Sequence, residues 1–405
     1  MSKSNDAGRR SVSFDPWSRS PDLARLIAEG YELELTADGY LLVHNVPYLD
    51  ENTVVQRGTV VTKLELNGDV TVNPVQDHVA YFIGSTPFRW NGEKLTPLTN
   101  ASLKLADGPT ASFQMSLKCA TADRYPDYFE KIRSHIENIE EEAKRVDATA
   151  TSRTGGPCVI STDDWPFEYA DTASGRAGLG AIGGHVSGQR IAIVGLGGTG
   201  SYILDLVAKC PVGEIHLFDG DRFSSHNAFR APGAAGIDEV RDGVPKVERF
   251  AQIYLRMKRK VIPHTYFIEA ANVSELRAFD FIFLAMEGGE TKRAIVEALE
   301  IMDKPFVNAS MGVKKPDSGD RLQAAIEVNG STAENRASFR EKVDFGELDP
   351  DDPYTENIQV ADLNALNAAM AVVWWKKWAG IYVSSKQPFW ILIDMYLDSM
   401  YTDRA

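Results

Sequence analysis

The sequence predicts an α/β fold with a mostly parallel sheet in the second half of the chain, preceded by a smaller β-rich domain. Three observations carry this. From Arg190 onward, short apolar runs alternate with segments of helical spacing, the pattern of parallel strands covered on both faces by helices. From Tyr31 to about Ala120, apolar and polar residues alternate around Asp-Gly and Asn-Gly pairs, which favour hairpins. At 405 residues, 43% hydrophobic and 25% charged, the chain is also long enough to bury two cores.

The elements follow in order. Residues 1–20 are polar, with small residues and arginines, and read as a mobile arm. Residues 21–146 form the β-rich domain, with hairpins in YELELTADGYLLVHNV and TVVTKLELNGDVTV. It closes on an amphipathic helix within 122–145, where Tyr128, Ile132, Ile136 and Ile139 recur at helical spacing. Residues 147–165, rich in Thr, Ser and Gly, read as a linker.

The second domain, 166–405, opens its regular pattern with a strand at Arg190 to Val194 and a helix from about Gly200 to Lys209. A strand at Glu214 to Phe218 and a helix from Lys246 to Met257 come next. Then come a strand at Phe281 to Ala285, a helix at Thr291 to Met302 and a strand at Pro305 to Ala309. A later helix, ADLNALNAAMAVVWWKKW, carries Leu363, Leu366, Met370 and Val373 as an apolar stripe, and the tail SKQPFWILIDMYLDS starts like a strand.

Composition excludes several functions. A formal charge of −14 argues against a broad nucleic-acid or anionic-membrane footprint, because phosphate surfaces need a basic face. No apolar run approaches the length of a membrane span, and MSKSNDAGRRS lacks the apolar core of a signal peptide, so a cytoplasmic location is expected. The cysteines, Cys119, Cys158 and Cys210, form no CxxC pair and suggest neither a disulfide framework nor a zinc site. His44 and His78 each stand without a second ligand at chelating spacing, which fits structural histidines.

The chemistry concentrates in RIAIVGLGGTGSYILDLVAK. Gly195, Gly197 and Gly200 make G-x-G-x-x-G directly after a strand and at a helix start, a Rossmann-like arrangement. Gly195 permits a tight turn, Gly197 lets phosphate approach the backbone, and Gly200 allows close helix-to-strand packing, with the helix N-terminus facing the anion. The acid expected at the end of the next strand, for a ribose hydroxyl, is supplied by FDGD as Asp219 and Asp221. Beyond it come Asn227, Arg230 and Lys246, enough positive charge for a triphosphate and more than a dinucleotide's pyrophosphate needs.

GLGGTG (Gly195, Gly197, Gly198, Gly200), then DGDxxxxxNxxR, then PKVE resembles the ThiF/MoeB adenylyltransferase family, to which the ubiquitin-activating enzymes belong. The resemblance spans about Arg176 to Gly380. It implies an ATP- and Mg²⁺-dependent adenylation of the C-terminal carboxylate of a ubiquitin-like protein, by a homodimer. It assigns Asp219 to the ribose, Asn227 and Arg230 to the ATP phosphates and Lys246 to the α-phosphate. Arg176 takes the place of an arginine that completes the site across the dimer. Glu287, in FIFLAMEGG, stands where the family usually has an Asp that binds Mg²⁺, one methylene shorter.

The sequence departs from ubiquitin-activating enzymes in having no cysteine after Cys210. Three routes for the acyl group stay open: a nucleophile on a partner protein, a hydroxyl such as Thr355, or an upstream cysteine. The β-rich domain resembles one found ahead of this adenylation domain in bacterial operons for ubiquitin-like conjugation. That implies docking of the ubiquitin-like protein or a conjugating-enzyme-like partner, and an antiviral setting. Other readings are a sulfur-carrier activator, a nucleotide-binding scaffold without activity, and an NAD-dependent oxidoreductase, which leaves Arg230 and Lys246 without a role.

Overall fold

A computed structural model describes residues 14–72, 77–105, 108–120, 122–161, 165–169, 171, 180–316, 320–343, 345, 358–384 and 388–404. Two units, Met1–Ala181 and Ile182–Ala405, each carry their own sheet and core.

In the first unit the strands are β1 (Leu33–Thr36), β2 (Tyr40–Leu49), β3 (Val55–Lys63), β4 (Leu66–Asn67), β5 (Val70–Thr71), β6 (Val79–Ile83), β7 (Leu98–Lys104), β8 (Thr110–Ser116) and β9 (Val159–Ser161). Seven of them form one sheet in the order β7-β8-β6-β3-β2-β1-β9, and β4 and β5 make a separate ribbon. Both hairpins read from the sequence are present. Gly39, between β1 and β2, has φ +81°, and Gly68, between β4 and β5, has φ +66°, backbone that only glycine adopts without steric cost.

The amphipathic helix runs Tyr128–Lys144 and buries Phe129, Ile132, Ile136 and Ile139 against the sheet. It starts at Tyr128, the first residue of that apolar spacing, where the Asp127 carboxylate accepts the Glu130 N–H at 2.8 Å and caps it. Two stretches, one read as part of a mobile arm and the other as a linker, also carry structure. Pro16–Arg19 is a helical turn capped by Asp15, and Trp17 packs on the first core. Val159–Ser161 pairs parallel with β1, because CVIS is a short apolar run inside an otherwise polar segment.

The second unit holds β10 (Arg190–Val194), β11 (Glu214–Phe218), β12 (Val261–His264), β13 (Phe281–Leu284), β14 (Phe306–Lys314), β15 (Gln323–Ser331), β16 (Pro388–Asp394) and β17 (Ser399–Arg404). Their order is β12-β11-β10-β13-β14-β15-β16-β17. The pairings from β12 to β14 are parallel and the rest antiparallel, so the sheet is mixed, with its parallel part at the glycine turn. All four β13 residues are buried, as a strand covered on both faces requires.

Helices Gly198–Ala208, Lys246–Tyr254 and Glu290–Ile301 lie close to their expected limits. β12 is not apparent in the sequence because Pro263 interrupts it, and it lies at the sheet edge, where proline is tolerated.

The helix Ala361–Trp378 forms as expected, but a different face turns inward. Leu366 is 37% exposed, whereas Asn364, Asn367, Ala368, Ala371 and Trp375 are fully buried. Close approach to the glycine turn needs small residues and amides here: the Asn364 amide lies against Gly198, and Asn367 Nδ2 donates to the Ser310 carbonyl at 3.0 Å.

Candidate nucleotide-binding site

The strand order places β10 between β11 and β13, whose connections leave in opposite directions. This is the point at which open parallel sheets form a crevice beyond their carboxyl ends. The glycine turn sits there. Gly195 has φ +89°, and a Cβ on it would stand 2.5 Å from the Ala285 carbonyl oxygen. A Cβ on Gly200 would collide with the Gly195 carbonyl, so helix and strand meet at backbone distance. At Gly197 a Cβ would meet nothing within 4 Å. The helix Gly198–Ala208 receives no side-chain cap, which leaves its first N–H groups and the positive end of its dipole for a ligand.

Asp219, 5% exposed at the end of β11, is tied to this turn. Its Oδ2 accepts the Leu196 N–H at 2.7 Å and its Oδ1 the Asp221 N–H at 2.8 Å, and each oxygen keeps a further lone pair. Lys246, also 5% exposed, holds Asp221 at 2.6 Å and stands 3.6 Å from Asp219. Asn227 is buried by its use as a helix cap, its Oδ1 accepting the Ser224 N–H and hydroxyl at 2.9 Å each. Its Nδ2 is left without a partner, as is the buried Nε of Arg230.

Electrostatics brings these groups together. Burial pushes the Arg230 guanidinium below the ordinary arginine value, with Glu287 and Asp221 acting against it. His226 is likewise lowered by burial and by Arg230 and Lys246. Arg230, Lys246, Asp221 and Glu287 therefore share one field at the strand ends. Arg176 and Thr355 lie outside the described residues.

On the β13 side of the glycine turn a cavity of about 500 Å³ opens, lined by Gly197, Gly198, Met286, Glu287, Lys292, Met311 and Glu327 among others. Its walls mix small and apolar residues with the charged Glu287, Lys292 and Glu327. Lys292 is 3% exposed and donates to the Met286 carbonyl at 3.2 Å. Burial pushes its ammonium down to about 8, with the Glu327 carboxylate opposing. Glu327 accepts from Trp390 Nε1 at 2.5 Å and from Asn329 Nδ2 at 3.3 Å.

Sequence reasoning passes over Lys292, Glu327 and Asn364. A signal exists for Lys292: it falls three residues before Ile295 on the same stripe as Val296 and Leu299, a position a solvated lysine would avoid.

Two family models match the chain. One, described as a domain of unknown function (DUF6791), covers residues 21–172, and the other, the ThiF family, covers residues 183–316. The chain carries a ThiF family domain.

This domain contains the glycine turn, Asp219, Asp221, Asn227, Arg230, Lys246 and Glu287. Curated relatives include ubiquitin-like modifier-activating enzyme 5 of Aedes aegypti, 23% identical over 170 residues, 40% of this chain and 39% of the relative. The Mus musculus protein of the same name is 29% identical over 125 residues, 28% of this chain and 31% of the relative. The chain thus spans about two fifths or less of these relatives' length. A solved structure of E. coli MccB with MccA aligns over 55% of this chain and 65% of that one, at 16% identity and a TM-score of 0.41. Among the described residues no helix is long and apolar enough to cross a membrane, and no group of three or more His, Cys, Asp or Glu could hold a metal ion.

Proposed function

We propose that this protein uses ATP to adenylate a carboxylate, the C-terminus of a ubiquitin-like protein. The observation that carries the reading is the set of buried nitrogens around the glycine turn. Asn227 Nδ2 and Arg230 Nε have no partner, Lys246 is held by Asp221 and lies near Asp219, and Asp219 is bonded to the turn that opens an uncapped helix. Burying such groups without an acceptor is costly, and a polyphosphate satisfies them.

In the reaction, a carboxylate oxygen bonds to the α-phosphorus, the bond from that phosphorus to the bridging oxygen breaks, and its electron pair leaves with pyrophosphate. The nucleophile is already ionised, so no general base is required. The difficulty is two anions that repel each other. Arg230, Lys246 and the helix N-terminus offset the phosphate charge and hold the α-phosphorus in line. Asp219 orders the turn through Leu196 and offers its remaining lone pairs to ribose hydroxyls. Glu287 fits Mg²⁺, a cation that one or two carboxylates and the phosphates themselves suffice to hold, and Mg²⁺ would supply further charge neutralisation.

Cys210 does not serve as acyl acceptor: it is 5% exposed in the core, and burial raises its thiol. Transfer to a nucleophile on a conjugating-enzyme-like partner, or to Thr355 as an oxyester, completes the reading. A homodimer with Arg176 reaching across it, docking by the first unit, a cytoplasmic location and an antiviral setting follow from the family resemblance.

The test is ATP–pyrophosphate exchange with Mg²⁺, with and without each ubiquitin-like protein encoded beside the gene. Exchange that depends on one of them and is lost in Asp219→Ala and Arg230→Ala supports the reading. Exchange that persists in both variants refutes the site.

A further inference from the structure

Three neighbouring strands of the first unit bring an acid, an imidazole and a hydroxyl into one hydrogen-bonded chain. Glu34 on β1 places its Oε2 2.8 Å from His44 Nε2, and His44 Nδ1 on β2 stands 3.2 Å from the Thr59 hydroxyl on β3. With Glu34 holding the ring proton on Nε2, Nδ1 keeps its lone pair toward the threonine. Acid, base and hydroxyl in that order are what activates an alcohol as a nucleophile.

A break in strand register creates the arrangement. The pairing of β2 with β3 passes from Val43 and Val60 to Val46 and Gly58, so His44 and Asn45 together stand opposite Thr59. Such a bulge re-aims a side chain that a regular ladder would fix. Asn45 sits at φ +57°, where its Nδ2 donates to Glu32 Oε2 at 2.6 Å and its carbonyl accepts Arg57 Nη1 at 2.7 Å. Left-handed backbone is unfavourable outside glycine, and here two side chains hold it in place.

The hydroxyl opens onto space. A pocket of about 360 Å³ is lined by Glu32, His44, Asn45, Arg57, Thr59 and Ile83, with Gly58 and Gly84 adding backbone only. Ile83 is the one apolar side chain among these, so the pocket suits a short polar group better than an alkyl chain. Arg57 lies two residues before Thr59 on the same face of β3, and the carbonyls of Asn45 and Thr151 fix its guanidinium there. A cation thus shares the wall with the hydroxyl.

We propose that Glu34, His44 and Thr59 form an acyl-acceptor site, in which Thr59 takes a short polar acyl group from an activated ester or mixed anhydride. The Thr59 oxygen bonds to the acyl carbon as His44 Nδ1 takes its proton. The bond from that carbon to the leaving oxygen breaks, the electron pair departs with the leaving oxygen, and His44 gives the proton to water. Glu34 orients the ring, and Arg57 offsets the charge that develops on the acyl oxygen. An oxyester on Thr59 is the product. The site belongs to the first unit and stands independently of the adenylation reading, although a carboxyl adenylate is a donor of this class.

The experiment uses the full chain without nucleotide, with p-nitrophenyl N-acetylglycinate as the donor. Stopped-flow release of p-nitrophenolate should show a burst of about one equivalent per chain, the signature of a covalent intermediate. Peptide mass mapping should find the N-acetylglycyl group on Thr59, cleaved by hydroxide and resistant to thiol. Thr59→Val and His44→Gln should slow the burst by about 10²-fold or more, the scale of a positioned base, and Glu34→Gln by less. Thr59→Ser should keep it, because a hydroxyl stays within reach of His44. Near-ultraviolet circular dichroism of each variant separates lost chemistry from lost folding.

A parental burst in folded Thr59→Val or His44→Gln overturns the proposal. So does a folded parent chain that gives no burst, or one that carries the acyl group on other residues with none on Thr59. Each of these outcomes leaves adenylation standing, since the donor contains no nucleotide.

Discussion

The Asp219 carboxylate accepts the backbone N–H of Leu196 at 2.7 Å, so the acid at the end of β11 and the glycine turn after β10 are one unit. The same carboxylate accepts the Asp221 N–H at 2.8 Å. A residue read as a ribose ligand therefore also fixes the loop that would cradle the phosphates.

Asp219→Ala should accordingly lose stability as well as activity. With the Leu196 N–H left buried and unsatisfied, the expected cost is about 1–3 kcal/mol. Urea unfolding measures it, and a variant as stable as the parent would mean the bond is dispensable.

The glycines should separate cleanly. Gly200→Ala drives a methyl into the Gly195 carbonyl, which is backbone and cannot give way, so this variant should fold poorly or not at all. Gly197→Ala meets nothing within 4 Å in the protein. It should keep the parental circular dichroism and melting temperature while losing ATP affinity, because the methyl occupies the side a phosphate approaches. Wild-type ATP affinity in Gly197→Ala would mean the phosphates lie elsewhere.

Arg230 and Lys246 are not interchangeable. Arg230→Lys replaces a planar fork by a point charge and cannot restore the buried Nε donor. Pyrophosphate exchange should fall by about 10²–10³, the scale for losing one preorganised donor to a developing charge. A drop of only twofold would place Arg230 outside the reacting phosphates.

A pH effect is expected in the first unit. His135 is fully buried, and burial pushes it down to about 4, against the two backbone carbonyls its ring nitrogens face. The unfolded chain binds a proton near the ordinary histidine value, so between about 4 and 6.5 it holds more protons than the folded one. The neutral ring's contribution is thus complete above pH 6.5 and is lost as pH falls toward 4, for a total of about 3 kcal/mol. NMR titration of the His135 ring should show it neutral at pH 6. An imidazole that titrates near 6.5 would remove the effect.

The site was legible in part because much of it is written in the backbone. G-x-G-x-x-G, an acid one strand later and DxDxxxxxNxxR are local spacings, and a local spacing survives in one dimension. The parallel strands were legible for a similar reason, since β13 is apolar on both faces and β10 nearly so.

The cavity was not legible. Lys292 comes from a helix after β13, Glu327 from β15 and Asn364 from a helix still further on, and only folding brings them to the glycine turn. On the helix Ala361–Trp378, apolar spacing pointed to Leu366, yet the approach to Gly198 favours an amide there, and tertiary packing overrides the hydrophobic stripe. β15 went unread because QAAIEVNGS is short of β-branched residues and gains its order from pairing with β14.

The cavity wall runs from Gly197 to Leu392, nearly the full sequence of the second unit. No fragment of that unit can therefore own the pocket, and opening any one of its contributing segments abolishes it. Occupancy becomes a clamp on the cooperative unfolding of the entire unit. A ligand at one hundred times its dissociation constant adds about 2.7 kcal/mol to the stability of the whole assembly of strands, far from any atom it touches. A ligand seated there would be, for as long as it stays bound, one of the components that hold the unit folded.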